Sequence, residues 1–410
     1  MHNLFLFILL ASFFLSDAFG IGPNLYPIRL ALPFAALFGG LAFFQKLLVK
    51  KEKITVSPLV LYAILFFGYM FIHTLVVTGF REVFFGIEYE VNDILNYVFL
   101  LVLIITLFMY GLLDRSRFLN YSFKTISFFY IIYLLFAFYE IKTGNHLSIS
   151  SLYDASWWMQ DAPTVVYYNS NDFAAIFTLM LMYLLVNMDK PKKVLSKVGL
   201  VLILVLHAFI LYKSQSRLSL LLFGLFLFYH HPKQLSFTLI LGLFCFLTIG
   251  YFGETSWYMQ SMDDLVKLSE DMSFGERNST LVRMSLYKHA ILSVPESYGL
   301  GFGVNASEVY YQKITDPNLF YITNPHSYLF EIMINSGVFS VLFYFLLNAY
   351  MMIKTWTGKN YDLLIQLIIY NLLLFSSSSS LFLWSIYLFF LLYIFNIVDE
   401  QRELGKPIKK

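Results

Sequence analysis

The chain has 410 residues, of which 59% are apolar and only 13% charged, and its mean hydropathy is +0.68. No water-exposed surface accommodates that composition, so a soluble globular domain is excluded and an integral membrane protein remains. The net charge of +2 is no electrostatic footprint for nucleic acid, and the single cysteine, Cys245, lies inside an apolar run and supplies neither a disulfide nor a CxxC metal site.

A helix spans the bilayer with roughly 20 apolar residues. Twelve such runs follow one another, at about 3–20, 27–48, 56–79, 94–113, 122–140, 166–188, 194–212, 216–231, 235–253, 326–353, 361–378 and 380–398. They predict an all-α bundle of about 12 transmembrane helices forming a single polytopic domain over residues 1–410. The first run ends in the small residues Ala18-Phe19-Gly20, as a signal peptide would. It has no Lys or Arg before its apolar stretch, which favours an uncleaved helix. The eighth run is short, and only Ser376 to Ser380 divide the last two.

Charge placement orients the bundle. Lys46 to Lys53, Arg115 to Lys124, Lys190 to Lys197, Lys233, Lys354, Lys359 and the basic C-terminal tail all fall on one side of such a topology. The opposite loops carry Glu82, Glu88, Glu90, Asp93, Asp154 and Asp161 with few basic residues, so both termini are expected in the cytoplasm. The one long hydrophilic segment, 254–325, is then extracytoplasmic, and it is too long to be a mere connection. No internal repeat is visible.

Ionisable residues within spans cost about 2.5 kcal/mol or more at the bilayer centre, so each needs a reason. For His73 and His207 a neutral ring bonded to a neighbouring helix is the plain account, with catalysis as the alternative. In Y-Y-N-S-N-D-F-A-A, Asn169 to Asp172, including Asn171, stand at the outer end of the sixth run and suit helix capping as well as substrate contact. Arg217, in S-Q-S-R-L-S-L, sits where two runs meet the outer interface with almost no loop between them. Snorkelling competes there with anion binding at a broken helix end flanked by Ser214, Ser216 and Ser219.

Within the long segment, R-N-S-T-L-V-R-M-S-L-Y-K-H-A-I-L predicts an amphipathic helix lying on the membrane surface or on the bundle. Arg283 and Tyr287 share one of its faces, and Arg283 is set amid apolar neighbours. Gly299, Gly301 and Gly303 alternate after it without the preceding strand a dinucleotide site needs; they let the backbone approach another surface or a sugar-phosphate. N-P-H-S-Y-L-F-E-I-M-I-N-S-G-V-F then opens the tenth run with His326 behind a proline, and Glu331 and Asn335 one turn apart. Asn278 and Asn305 head sequons of no weight by themselves.

S-Q-S-R-L-S-L, R-M-S-L-Y-K-H-A-I, P-x-x-x-G-L-G-F-G-V and H-S-Y-L-F-E-I-M-I-N-S-G-V-F together resemble the O-antigen ligase and polysaccharide repeat-unit polymerase superfamily. The specific likeness runs from 210 to 345, with Ser327 standing where the family pattern has asparagine. The asparagine-rich start of the sixth run, N-S-N-D-F-A, is similar too. The resemblance implies a GT-C-like bundle in the bacterial cytoplasmic membrane and an inverting, metal-independent glycosyltransferase. It implies no cofactor, an undecaprenyl-diphosphate-linked glycan donor, a glycan acceptor and an extracytoplasmic active site. By position, His326 is the implied base that activates an acceptor hydroxyl, and Arg217 and Arg283 grip the leaving diphosphate. Glu331, Asn335, Asn171 and Asp172 are supporting residues, through base orientation or sugar hydroxyls, or else simply bonded to neighbouring helices. Enzymes of related architecture that use a metal carry acids in their first outer loop, and residues 20–27 here hold none.

These roles are also chemically sensible. Guanidinium forks match phosphate oxygens, and an imidazole takes protons near neutral pH. The expected activity is polymerisation of lipid-linked repeat units, with membrane lipid, a flippase and a chain-length regulator as partners. A ligase that passes the glycan to a different acceptor would use the same residues. A lipid-linked oligosaccharide transporter would instead place ionisable groups near mid-membrane and repeat its halves, whereas basic and histidine residues here gather at the outer rim.

Overall fold

A computed structural model of the chain describes residues 2–15, 26–51, 56–88, 91–153, 161–187, 194–230, 279–316, 319, 325, 327–376 and 385–404. Among them all regular structure is helical. The helices are α1 (His2–Leu15), α2 (Pro27–Phe44, continued by a π turn Gln45–Val49), α3 (Pro58–Phe85), α4 (Val91–Leu113), α5 (Arg115–Thr143), α6 (Ser170–Asn187), α7 (Val194–Lys213) and α8 (Arg217–His230). They continue with α9 (Ser279–Glu296), α10 (Ala306–Gln312), α11 (Tyr328–Thr357), α12 (Tyr361–Ser376) and α13 (Ser385–Leu404). Eleven of the twelve expected runs coincide with helices; the ninth, 235–253, lies outside the described residues. Among the described residues six helices are long and apolar enough to cross a membrane: α2 with its π turn, α3, α4, α5, α6 and α11. Five shorter apolar helices accompany them.

Local chemistry sets the helix ends. Ser57 accepts from the amide of Val60 at 3.1 Å and Pro58 occupies the first turn of α3, where no amide is required. Gly86 closes that helix in the left-handed region, φ 61°, and Gly144 closes α5 in the same way, φ 66°. Asp114 caps α5 through the Arg117 amide at 3.0 Å, and Asn360 caps α12 through Leu363 at 3.1 Å.

Inside the bundle, apolar packing leaves polar groups that must find partners without water. Thr106, Thr125, Thr178, Ser340 and Thr355 bond back to the carbonyl four residues earlier. Tyrosines bridge helices: Tyr97 donates to Met70 O of α3 at 3.2 Å, and Tyr370 of α12 to Tyr387 O of α13 at 2.9 Å. Tyr344 and Asn348 of α11 meet Asn371 of α12 at 2.6 and 3.0 Å. His207 is buried, bonded to Tyr130 of α5 at 3.2 Å and stacked on Phe177 of α6, so the plain account of that histidine holds.

Polar contacts sort the helix ends into two sets. At one end Lys46 donates to Leu113 O, and Arg115 pairs with Asp399. At the other, Arg29 of α2 donates to Asn96 of α4, Asn305 to Asp93, and Lys213 pairs with Asp161. The second set contains the candidate site.

Candidate functional site

α11 is not one continuous rod. At Gly337 the backbone takes φ 78°, ψ 176°, which breaks it into a short segment, 328–336, and a long one. A break inside an apolar helix frees carbonyls and amides that must be satisfied elsewhere. The glycine-rich loop after α9 does this: Phe302 N donates to Ile334 O at 2.7 Å, Gly303 N to Asn335 O at 2.9 Å, and Val338 N to Gly299 O at 3.0 Å. Ser307 N adds a bond to the Asn335 side chain at 2.9 Å.

The alternating glycines are explained by this crossing. A Cβ on Gly301 would stand 2.5 Å from Gly337 N, and one on Gly337 would stand 2.4 Å from Gly299 O. On Gly303 it would meet Thr78 Oγ1 of α3 at 2.5 Å. All of these glycines have positive φ. Of the two readings of G-x-G-x-G, close approach to another protein surface is the one observed.

Three side chains pin the loop from α3. Thr78 accepts from Val304 N at 2.8 Å, and His73 donates to Leu300 O at 2.9 Å. Arg81, fully buried, donates to Val304 O and, at 2.6 Å, to Glu88 O. His73 thus bonds the loop backbone. Arg81 was not singled out in the sequence, where it stands in the charge-bearing end of an apolar run, G-F-R-E-V, and looks like an interfacial arginine.

Between α3, α4, this loop and the short segment of α11 lies a cavity of about 60 Å³. Glu331 and Asn335, two of the expected supporting residues, line it together with Asp93, Asn96, Asn305 and Ser336. Asn305 donates to Asp93 at 3.2 Å, and Arg29 reaches Asn96 from α2 at 2.7 Å. Arg29 also lies over the rings of Tyr26 and Phe99. Two carboxylates and three carboxamides make the lining rich in hydroxyl-binding groups and unfavourable to an anion.

The other expected residues are placed as follows. His326 lies outside the described residues; Pro325 and Ser327 on either side of it are both buried. Ser327 is the N-cap of α11, its carbonyl accepting from Glu331 N at 3.0 Å, and its hydroxyl makes no cap bond. Arg283 is half-buried on α9. Its neighbour Tyr287 stacks on Phe330 at 4.4 Å, which attaches that face of α9 to the turn of α11 bearing Glu331. Arg217 is exposed at the start of α8, after a three-residue turn, 214–216, in which Gln215 has φ 56°. Ser214, Ser216 and Ser219 around it are buried, and Ser216 donates to Ser219 at 2.9 Å. Neither arginine lines the cavity.

Asn169 accepts from Asp172 N at 2.8 Å and its amide donates back to the Asp172 carboxylate, a reciprocal cap that fixes the start of α6. Asp172 is buried and Asn171 exposed, and neither lines the cavity. Asn169 is thus the capping residue, and the Asp172 carboxylate closes the reciprocal bond. A further buried cluster stands before α6: Glu140 accepts from Thr164 N and Val165 N, both at 2.8 Å, and lies 3.2 Å from His146. It ties the loop ahead of α6 to the end of α5.

α9 docks on the bundle through Val282, Leu286 and Ala290, which pack with Phe302, Tyr310, Tyr311 and Ile334. Tyr311 donates to Leu286 O at 2.7 Å, and Tyr310 to His289 O at 3.1 Å and Glu296 at 3.0 Å. Burial, reinforced by the Glu296 carboxylate, pushes the Tyr310 hydroxyl well above its usual pKa, so it stays a donor across the physiological range. Among the described residues no three His, Cys, Asp or Glu side chains converge in a metal-binding group.

Residues 172–345 match the family described as O-antigen ligase. The span begins on Asp172, takes in Arg217, Arg283, His326, Glu331 and Asn335, and stops in α11 shortly beyond its break. The α3 and α4 residues of the cavity precede it. The chain is also similar to the teichuronic acid biosynthesis protein TuaE of Bacillus subtilis (strain 168), 26% identical over 302 residues, a match that covers 67% of this chain and 60% of that protein.

Proposed function

We propose, from the match of residues 172–345 to the O-antigen ligase family, that the protein is a bacterial membrane glycosyltransferase. Its reaction polymerises undecaprenyl-diphosphate-linked repeat units into a surface polysaccharide of capsule, O-antigen or teichuronic-acid type. The likeness to a protein of teichuronic acid biosynthesis supports polysaccharide synthesis as the process. The observation that carries the reading is the polar cavity beside the segment that follows His326, to which the matched span contributes Glu331 and Asn335 and the preceding helices contribute Asp93 and Asn96.

In this reading the cavity side of the site holds the acceptor sugar. Its carboxylates and amides suit hydroxyl groups and would repel a diphosphate. Arg217 and Arg283, away from that lining, hold the diphosphate of the donor at the extracytoplasmic face of the cytoplasmic membrane. His326 takes the proton from an acceptor hydroxyl as its oxygen attacks the anomeric carbon from the face opposite the leaving group. The bond from that carbon to the diphosphate oxygen breaks, the configuration inverts, and the lipid diphosphate leaves with its charge held by the arginines. The transfer needs no metal ion in this scheme. A flippase that delivers the lipid-linked unit and a chain-length regulator are the protein partners such a reaction calls for.

The shared domain carries the donor chemistry, whereas half of the cavity comes from α3 and α4, before it. Acceptor choice, and with it polymerase as against ligase, therefore belongs to α3 and α4. The test is reaction of the purified protein with lipid-linked repeat units alone. Elongation identifies a polymerase, and an absolute requirement for a second acceptor identifies a ligase. His326→Ala should abolish elongation and leave single lipid-linked units; chains of normal length from that variant would remove the base assignment.

A further inference from the structure

α9 carries a second apolar face that the docked face does not use. Met284, Ile291 and Leu292 are 63%, 56% and 42% exposed, although Val282, Leu286 and Ala290 on the opposite side are buried against the bundle. Met284, Lys288, Ile291 and Pro295 recur at helical spacing, so the exposed residues form one stripe rather than scattered positions. Along one edge Ser285 and His289 bond Asp316 and Glu296 accepts from Tyr310, Arg283 stands on the other edge, and Lys288 is the one charged member of the stripe. Beyond the helix the chain turns through Tyr298, 83% exposed, and Leu300, 40% exposed.

The level of this face is fixed by contact with a candidate span. Val338 N bonds Gly299 O at 3.0 Å, and Gly299 lies against the Val338 side chain. From there the exposed face of α11 continues as Val338, Phe339, Leu342 and Leu346. Those side chains are on one of the helices long and apolar enough to cross a membrane, so their outward face meets lipid. The turn at Tyr298 and Leu300 is therefore continuous with the upper edge of the lipid-facing belt, where tyrosine is favoured.

The geometry points to α9 and the turn after it as a membrane-interface element, with Met284, Ile291, Leu292, Tyr298 and Leu300 immersed in the outer surface of the bilayer while Val282, Leu286 and Ala290 grip the bundle. Lys288, exposed on the same stripe, extends its ammonium to the headgroup phosphates with its methylenes along the apolar surface. The two alternatives read from the sequence, on the membrane or on the bundle, are then both satisfied by one helix with two apolar faces. Arg283 lies on the flank between the two faces, which sets it at headgroup depth. This placement does not depend on the glycosyl transfer.

The test uses the full-length protein in nanodiscs of phosphatidylethanolamine and phosphatidylglycerol. With Cys245→Ser as background, Met284→Cys, Ile291→Cys and Tyr298→Cys are labelled with an environment-sensitive fluorophore, and Glu308→Cys and Gln312→Cys on the exposed side of α10 serve as controls. Brominated lipid should quench the first three labels several-fold more than the controls, and aqueous iodide should quench the controls more than the three. Iodide quenching at 291 and 298 equal to that at 308 overturns the proposal. Protection from iodide without quenching by brominated lipid also overturns it, since the face would then be covered by a second copy of the chain or another protein.

Discussion

Arg81 shows why a single charged residue can be misread from its surroundings. A guanidinium with no exposed surface is tolerated because its donors are aimed at backbone carbonyls of two different segments, Val304 and Glu88. Arg81→Met fills a similar volume but leaves the Val304 carbonyl buried without that donor. The expected cost is about 2 kcal/mol or more, seen as a lower melting temperature in nanodiscs; an unchanged melt would mean the loop is held by Thr78 and His73 alone. Arg217 is the opposite case, exposed and tied to no carboxylate in the described residues. Arg217→Lys should leave the melt unchanged and lower transfer by about tenfold or more, a change of about 1.4 kcal/mol in the barrier, because an ammonium cannot clasp two phosphate oxygens. Full activity in that variant would return Arg217 to ordinary snorkelling.

At the scale of elements, the break in α11 and the glycine loop form one unit. Neither conformation is stable by itself: the break strands carbonyls at Ile334 and Asn335, and the loop needs acceptors for Phe302 and Gly303. Gly337→Ala or Gly301→Ala places a methyl group within 2.6 Å of backbone atoms that cannot swing aside, at positions with φ 78° and φ 76°. Strain of about 1–3 kcal/mol is expected from the backbone alone. Elongation should fail in variants that still insert and fold, because the segment bearing Glu331 and Asn335 is displaced. Gly40→Ala and Gly224→Ala meet nothing within 4 Å and should be neutral or slightly stabilising. Equal damage at all four positions would show that the crossing has no special role. α6 offers a milder comparison: Asn169→Ala removes its cap and should cost about 1 kcal/mol.

Across the whole molecule, an ion pair stands at each end, Lys213 with Asp161 on the side bearing the cavity and Arg115 with Asp399 on the other. At the far end Arg115 and Asp399, nearly buried, staple α5 to α13. Removing one partner strands a charge, so Arg115→Met should destabilise by about 3 kcal/mol, while the double variant Arg115→Met, Asp399→Leu should recover most of that loss. Transfer per folded molecule should be unchanged in both, since the staple is remote from the cavity. A drop in rate without a drop in stability would instead connect the two ends.

The helices over eleven of the apolar runs were legible from residue order, with the helix at 279–296, the short turn before Arg217 and the capping at Asn169. Each depends on a local quantity: the transfer energy of a run of about 20 side chains, a helical period, or one side-chain oxygen within reach of its own backbone. The helix break at Gly337, the cavity that brings Asp93 and Asn96 to Glu331 and Asn335, and the burial of Arg81 were not legible. They arise where separate segments satisfy one another's backbone groups, residues 299–303 with 334–338 at the break and α3 with the distant loop in the bond from Val304 N to Thr78 Oγ1. Residue order carries the cost of leaving such groups unpaired in a membrane, but which partner answers is settled only when the helices have packed.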